Sequence, residues 1–108
     1  MTGNEYQKLA MVTLNKDIPQ KDLLLNASMG LCGESGEVID LLKKHIFQGH
    51  PLDQEKVIDE LGDIAWYLAE AATALNIDLE DIFKHNVEKL KKRYPEGFES
   101  DKSIHREE

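Results

Sequence analysis

The sequence has one cysteine, Cys32, in 108 residues. No intrachain disulfide can form, and the lone thiol points to a reducing, cytoplasmic setting. Only three prolines and seven glycines interrupt the chain, and β-branched runs are scarce. That scarcity favours helices over a sheet. No apolar run approaches the roughly 18 residues that a membrane span needs. The opening ten residues are polar and lack the apolar region of a signal peptide. Bases are also few: 13 against 21 acids, for a net charge of -8. Nucleic-acid polymers attract basic patches, so neither a nucleic acid nor a membrane is expected as a partner. A mass of 12.3 kDa suits one domain.

The remaining residues pattern as four helices. The first is expected over 3–15, with Thr2 and Glu5 as a capping box and Met1 and Tyr6 as a staple. Pro19 suits the start of a second, long helix over 20–47, ended by Gln48, Gly49, His50 and Pro51. Asp53 caps a third helix that runs to residue 75 and stops at Asn76. Asp78 caps a fourth, reaching Arg93 on a basic final turn, before Pro95 and Gly97. Residues 99–108 are highly charged and read as a disordered tail after a single domain over 1–98. Short connections between helices imply an all-α, antiparallel four-helix bundle.

Two acid pairs stand out. The second helix carries Glu34 and Glu37, and the third carries Glu60 and Asp63. Each pair is spaced i, i+3, so its carboxylates share a helix face. At about 100° per residue, Leu31, Val38 and Leu42 lie roughly 40–80° from Glu34, and Val57, Ile64 and Leu68 lie equally far from Glu60. Both pairs therefore flank their apolar stripe on the same side. Facing residues of an antiparallel pair keep a constant index sum. Glu34 with Asp63 and Glu37 with Glu60 give the same sum, centred on the predicted break. Each pair alone is an ordinary solvated acidic face. Together they place four carboxylates at one height, where ionised pairs at 4 Å repel by about 4 kcal/mol at an effective dielectric near 20. A cation relieves that repulsion, and oxygen-only donors suit Mg²⁺ or Mn²⁺. A di-iron carboxylate bundle would need Glu-x-x-His motifs, which these helices lack.

The ordered combination resembles the MazG-like, all-α nucleoside triphosphate pyrophosphohydrolases. It rests on Gly30-Leu-Cys-Gly33-Glu34-Ser-Gly36-Glu37-Val38, on Glu60-Leu-Gly-Asp63-Ile-Ala-Trp66-Tyr67-Leu, and on the stretch from Asn86 to Phe98. The resemblance covers most of the chain, from Tyr6 to Phe98. It implies Mg²⁺-dependent cleavage between the α- and β-phosphates, giving a nucleoside monophosphate and pyrophosphate. It also implies Glu34, Glu37, Glu60 and Asp63 as metal ligands, with Mn²⁺ a possible substitute. One glutamate can instead serve as general base, and Glu37 is preferred. Two alternatives stand beside this reading: an all-α dUTPase-like specificity, and a non-catalytic acidic module that binds a basic partner.

Tyr67 lies one turn after Asp63 on the acid flank, placed to touch a sugar or phosphate or simply to pack there. Asn86, Lys89 and Arg93 line one face of the fourth helix, suited to holding a triphosphate or to solvation. Tyr6 and Phe47 are candidates for stacking on the base. Gly30 and Gly33 leave the backbone open to a phosphate or to a crossing helix. Lys43 and Lys44 are within reach of phosphates but read as solvated, the four histidines as exposed, and Cys32 as a small packed side chain. Trp66, with Ala65, Ala69 and Ala72, widens the apolar surface of the third helix. That surface is expected to form a homodimer or homotetramer interface, or to be covered by the first or fourth helix.

Overall fold

The computed structural model describes residues 1–105. Among them are five helices: α1 (Gly3–Met11), α2 (Gln20–Phe47), α3 (Gln54–Ala74), α4 (Leu79–Arg93) and α5 (Ser100–Ile104). No strand occurs among the described residues, where only an isolated bridge joins Pro95 and Gly97. The fold is all-α, as the sequence implies.

The caps form largely where the sequence puts them. Thr2 and Glu5 make a reciprocal capping box, at 3.1 and 2.9 Å. The Asp53 carboxylate accepts from the Glu55 and Lys56 amides. Asn76 adopts a left-handed φ of 57°, with Ile77 N donating to Ala72 O and Asn76 N to Thr73 O, both at 3.0 Å. That is a Schellman ending, and asparagine is among the few residues that tolerate it.

Two boundaries differ from expectation. Helix α1 stops at Met11 rather than at residue 15. The Thr13 hydroxyl donates back to Ala10 O at 2.7 Å, and Trp66 Nε1 donates to the same carbonyl at 3.1 Å, so the helical ladder closes early. Residues 100–104 form α5 inside the stretch expected to be disordered, with Ser103 N bonded to Glu99 O. Residues 106–108 of that tail lie outside the described residues.

Helices α2 and α3 form an extensive antiparallel hairpin, and α1 and α4 pack on the C-terminal part of α3. The core sits there. Ala69, Ala72 and Leu79 are buried among Tyr6, Ala10, Met11, Leu68 and Ile82. Polar contacts fix the same corner. Gln7 donates to Thr73 Oγ1 and Ile77 O, and accepts from Leu79 N at 2.7 Å. Asn4 and Glu80 exchange reciprocal backbone–side chain bonds at 2.7 and 3.2 Å.

The bundle is open. Its radius of gyration is 16.9 Å, against about 13 Å for a compact chain of roughly 100 residues. Helix α4 leaves Phe83, Val87 and Leu90 exposed. Trp66 does not face outward as a free interface residue. It is half-buried, and its Nε1 reaches both Ala10 O and Thr13 Oγ1 at the end of α1. The first helix therefore covers it within the chain. An indole needs a partner for its N–H, and the early end of α1 supplies two.

Candidate active site

The site forms along the α2/α3 seam. Glu34, Glu60 and Asp63 can each offer one carboxylate oxygen within 4.8 Å of the others. Glu34 and Glu60 are half-buried and Asp63 is exposed. A hydrogen bond to the Glu34 carboxylate holds the Glu60 carboxyl above its ordinary range, helped by partial desolvation and by the charges of Glu34 and Asp59. Two carboxylates that share a hydrogen bond must share a proton. Without a cation, the cluster relieves its repulsion in that way.

The facing pattern differs in detail from the sequence expectation. Glu34 meets both Glu60 and Asp63, rather than Asp63 alone. Glu37 is exposed and lies outside this three-residue cluster. It sits about 60° further round α2 from the seam than Glu34 does, so its carboxylate looks onto the open flank. The charge of Glu37 still acts on Lys44, whose ammonium is held above its ordinary range mainly by Asp40.

One turn below the acids, Tyr67 lies against Gly30. A Cβ built on Gly30 would fall 2.2 to 2.4 Å from three atoms of the tyrosine ring. Gly30 and Tyr67 have the same index sum as Glu34 and Asp63, so the hairpin register is as expected. Close helix approach explains Gly30, whereas a Cβ at Gly33, Gly36 or Gly62 would meet nothing within 4 Å. Trp66 braces Tyr67 edge-on, with ring centroids 5.1 Å apart. Tyr6 on α1 also reaches this end of the seam. Its hydroxyl is held above the ordinary phenol range by burial, with a smaller contribution from the negative charge of Asp63.

The α4 residues stand apart. Asn86 and Lys89 are exposed and line a separate cavity of about 490 Å³ with Ile77, Asp81, Ile82 and His85. Arg93 is half-buried at the end of α4. Phe47 is largely exposed at the end of α2. The four histidines are exposed, as expected, but so is Cys32, which does not pack into the core.

Sequence reasoning missed Glu70. It is the one fully buried charged residue described in the fold. It lies two turns below Asp63, among Ala69, Ala71, Ala72 and, from α2, Ala27 at the same level of the seam. In the amide orientation that its hydrogen bonds require, Asn26 Nδ2 donates to both Glu70 oxygens, at 2.9 and 3.0 Å. Burial raises the Glu70 carboxyl above its ordinary range. The available signal was register: once the acids are aligned, Asn26 falls one residue from the position opposite Glu70.

A 74-residue stretch is 36% identical to the Gene 37 protein of Mycobacterium phage L5, covering 65% of this chain and 65% of that relative. No solved structure matches the chain. No described helix is long and apolar enough to cross a membrane. The model of the MazG nucleotide pyrophosphohydrolase domain matches residues 24–98. That span contains the whole acid cluster together with Tyr67 and α4, and the chain belongs to the MazG nucleotide pyrophosphohydrolase domain family.

Proposed function

We propose that the protein hydrolyses nucleoside triphosphates between the α- and β-phosphates, with Mg²⁺ as cofactor and Mn²⁺ as a substitute. The observation that carries this reading is the convergence of Glu34, Glu60 and Asp63 oxygens within 4.8 Å on one seam. All the donors are carboxylate oxygens, the set that suits a hard divalent ion. Glu34, Glu60 and Asp63 would hold it, with Glu37 completing the set from the open flank. When bound, such an ion neutralises phosphate charge and makes water a better nucleophile.

The chain's own residues supply the rest. Glu37 faces solvent beside the cluster, placed to orient a water and accept its proton. The water oxygen bonds to the α-phosphorus as the bond to the α–β bridging oxygen breaks. Pyrophosphate leaves, and the monophosphate remains. Phosphoryl transfer depends on such positioning and charge compensation more than on covalent help. Tyr67, seated on Gly30 one turn from the acids, contacts the sugar or a phosphate in this reading.

The test is pyrophosphate release from a panel of triphosphates in heavy-oxygen water. Release of pyrophosphate with label in the monophosphate is expected. Release of orthophosphate, or no release under either Mg²⁺ or Mn²⁺, overturns the reading.

The functional unit is proposed to be a homodimer or homotetramer. The chain exposes 8106 Å², against about 6,100 Å² for a compact monomer of its mass. The excess is of the size that obligate interfaces bury, and Phe83, Val87 and Leu90 supply an apolar face on α4. A second protomer also gives Asn86, Lys89 and Arg93 a route to a triphosphate, since the first two line a cavity away from the acids of their own chain. Sedimentation at micromolar concentration is expected to show no monomer.

A further inference from the structure

A cavity of about 260 Å³ lies at the hairpin end of α2 and α3, lined by Leu41, Lys44, His50, Pro51, Asp53 and Lys56. From the cavity and the two lysines that flank it, we propose that it is the seat of the outgoing diphosphate. This deepens the pyrophosphohydrolase reading and rests on it.

Three observations converge. The first is position. Lys44 lies within about 20° of Glu37 around α2, and Lys56 within about 20° of Asp63 around α3. Both lysines therefore occupy the acid flank of the seam. Lys44 is seven residues beyond Glu37, and Lys56 four residues before Glu60. The cavity thus begins about 6–10 Å along the helices from the acids. A diphosphate and an extended lysine side chain together cover that span.

The second is charge. Lys44 bonds Asp40 at 2.9 Å, and Asp40 is shared with Lys43 at 3.5 Å. Lys56 has no ion pair among the described residues. The acid in the lining, Asp53, is engaged by the Glu55 and Lys56 amides at the start of α3. The lining therefore offers an anion the Lys56 ammonium, with Lys44 beside it sharing its charge with Asp40, while the lining carboxylate caps a helix. Lysine serves phosphate as a compact point charge with rotatable donors.

The third is shape. His50 is fixed at the rim, with its carbonyl accepting from His45 Nδ1 at 2.8 Å and its amide bonded to Lys44 O at 3.1 Å. Gly49, with a φ of 71°, makes that turn possible. Lys44, which reads as solvated in the sequence, is half-buried. The charge of Glu37 acts on its ammonium, so the cavity and the acid site are electrostatic neighbours.

The probe is inorganic pyrophosphate with Mg²⁺, titrated into the full chain by calorimetry. Wild-type protein is expected to bind it. Lys56→Gln and Lys44→Gln are each expected to weaken binding about tenfold, equivalent to 1.4 kcal/mol. Lys56→Arg is expected to restore most of it. Mn²⁺ affinity, read by electron paramagnetic resonance, is expected to be unchanged in these variants. Lys43→Gln, whose side chain lies outside the cavity, is expected to bind pyrophosphate normally. Unchanged binding in Lys56→Gln and Lys44→Gln overturns the inference, as does equal loss in Lys43→Gln, which would mark a diffuse charge effect. Absence of binding by wild-type protein overturns it as well. Pyrophosphate binding that depends on Lys56, in a protein that hydrolyses no triphosphate, sinks the proposed activity and leaves the cavity's ligand standing. Hydrolysis with unaltered binding in the variants does the reverse.

Discussion

The ring of Tyr67 occupies the space where a side chain at Gly30 would begin. The two residues lock α2 to α3 one turn from the acids, and neither can change alone. Gly30→Ala has no adverse helical propensity, since alanine favours a helix by about 1 kcal/mol over glycine. Its cost comes from moving an aromatic ring out of a packed seam, typically 1–3 kcal/mol. Thermal denaturation is expected to show net destabilisation, and turnover is expected to fall further than in Tyr67→Phe. A Gly30→Ala protein with a raised melting temperature and full activity would show that the seam relaxes freely.

Glu70 gives a prediction with a definite sign. Its carboxyl is raised by burial, so the fold prefers the protonated form. The corresponding stability is fully present below the ordinary glutamate range, near 4.5. It is lost as pH rises through the raised value. Glu70→Gln is therefore expected to raise the melting temperature by a few degrees at pH 8 and to leave it unchanged near pH 4. Equal effects at both pH values would contradict the assignment.

Asn26→Ala tests the other half of that pair. It removes the amide that donates to both oxygens of Glu70 and leaves a buried carboxylate without that partner. A loss of about 1–3 kcal/mol is expected. In the Glu70→Leu background most of that loss is expected to vanish, because no carboxylate remains to be stranded.

The acid cluster predicts how metal and stability are linked. Glu60 is raised by its hydrogen bond to Glu34, so metal-free protein is expected to lose stability as pH rises above the ordinary carboxylate range. Saturating Mg²⁺ is expected to reverse that trend, by about 2.7 kcal/mol at a hundredfold excess over Kd. Glu37→Gln is expected to abolish turnover while the metal-free fold stays as stable or gains stability. Unfolding of metal-free Glu37→Gln would mean that the carboxylate is structural.

Trp66 offers the simplest probe of α1. It is the sole tryptophan, and its N–H reaches Ala10 O and Thr13 Oγ1. Trp66→Phe keeps an aromatic ring and loses both bonds, so a cost of about 1 kcal/mol is expected. Thr13→Val is expected to shift the tryptophan emission without unfolding the hairpin.

The hairpin was legible in the sequence because its signals are local and periodic. Acid spacing fixed the faces, and the constant index sum fixed a register that Gly30 and Tyr67 obey. Asn76 was legible as a helix stop because left-handed backbone restricts residue type. What escaped depended on partners distant in sequence. Trp66 looked like a surface anchor because nothing local shows that Ala10 and Thr13 fold over it. Glu70 went unnoticed because only the completed fold excludes water from it. Wheel angles placed Glu34 and Glu37 on one face but did not tell seam from flank, so Glu34 rather than Glu37 meets Glu60.

The turn between α2 and α3 spans residues 48–53. Loop-closure entropy grows only slowly with length, and contacts close in sequence form fastest. Every carboxylate of the proposed metal site is brought together by closing that one short loop. Assembly of the site therefore requires no contact between the two ends of the chain. The slower search, for Asn4 to meet Glu80 and Gln7 to meet Leu79, closes the core at the far end of the hairpin.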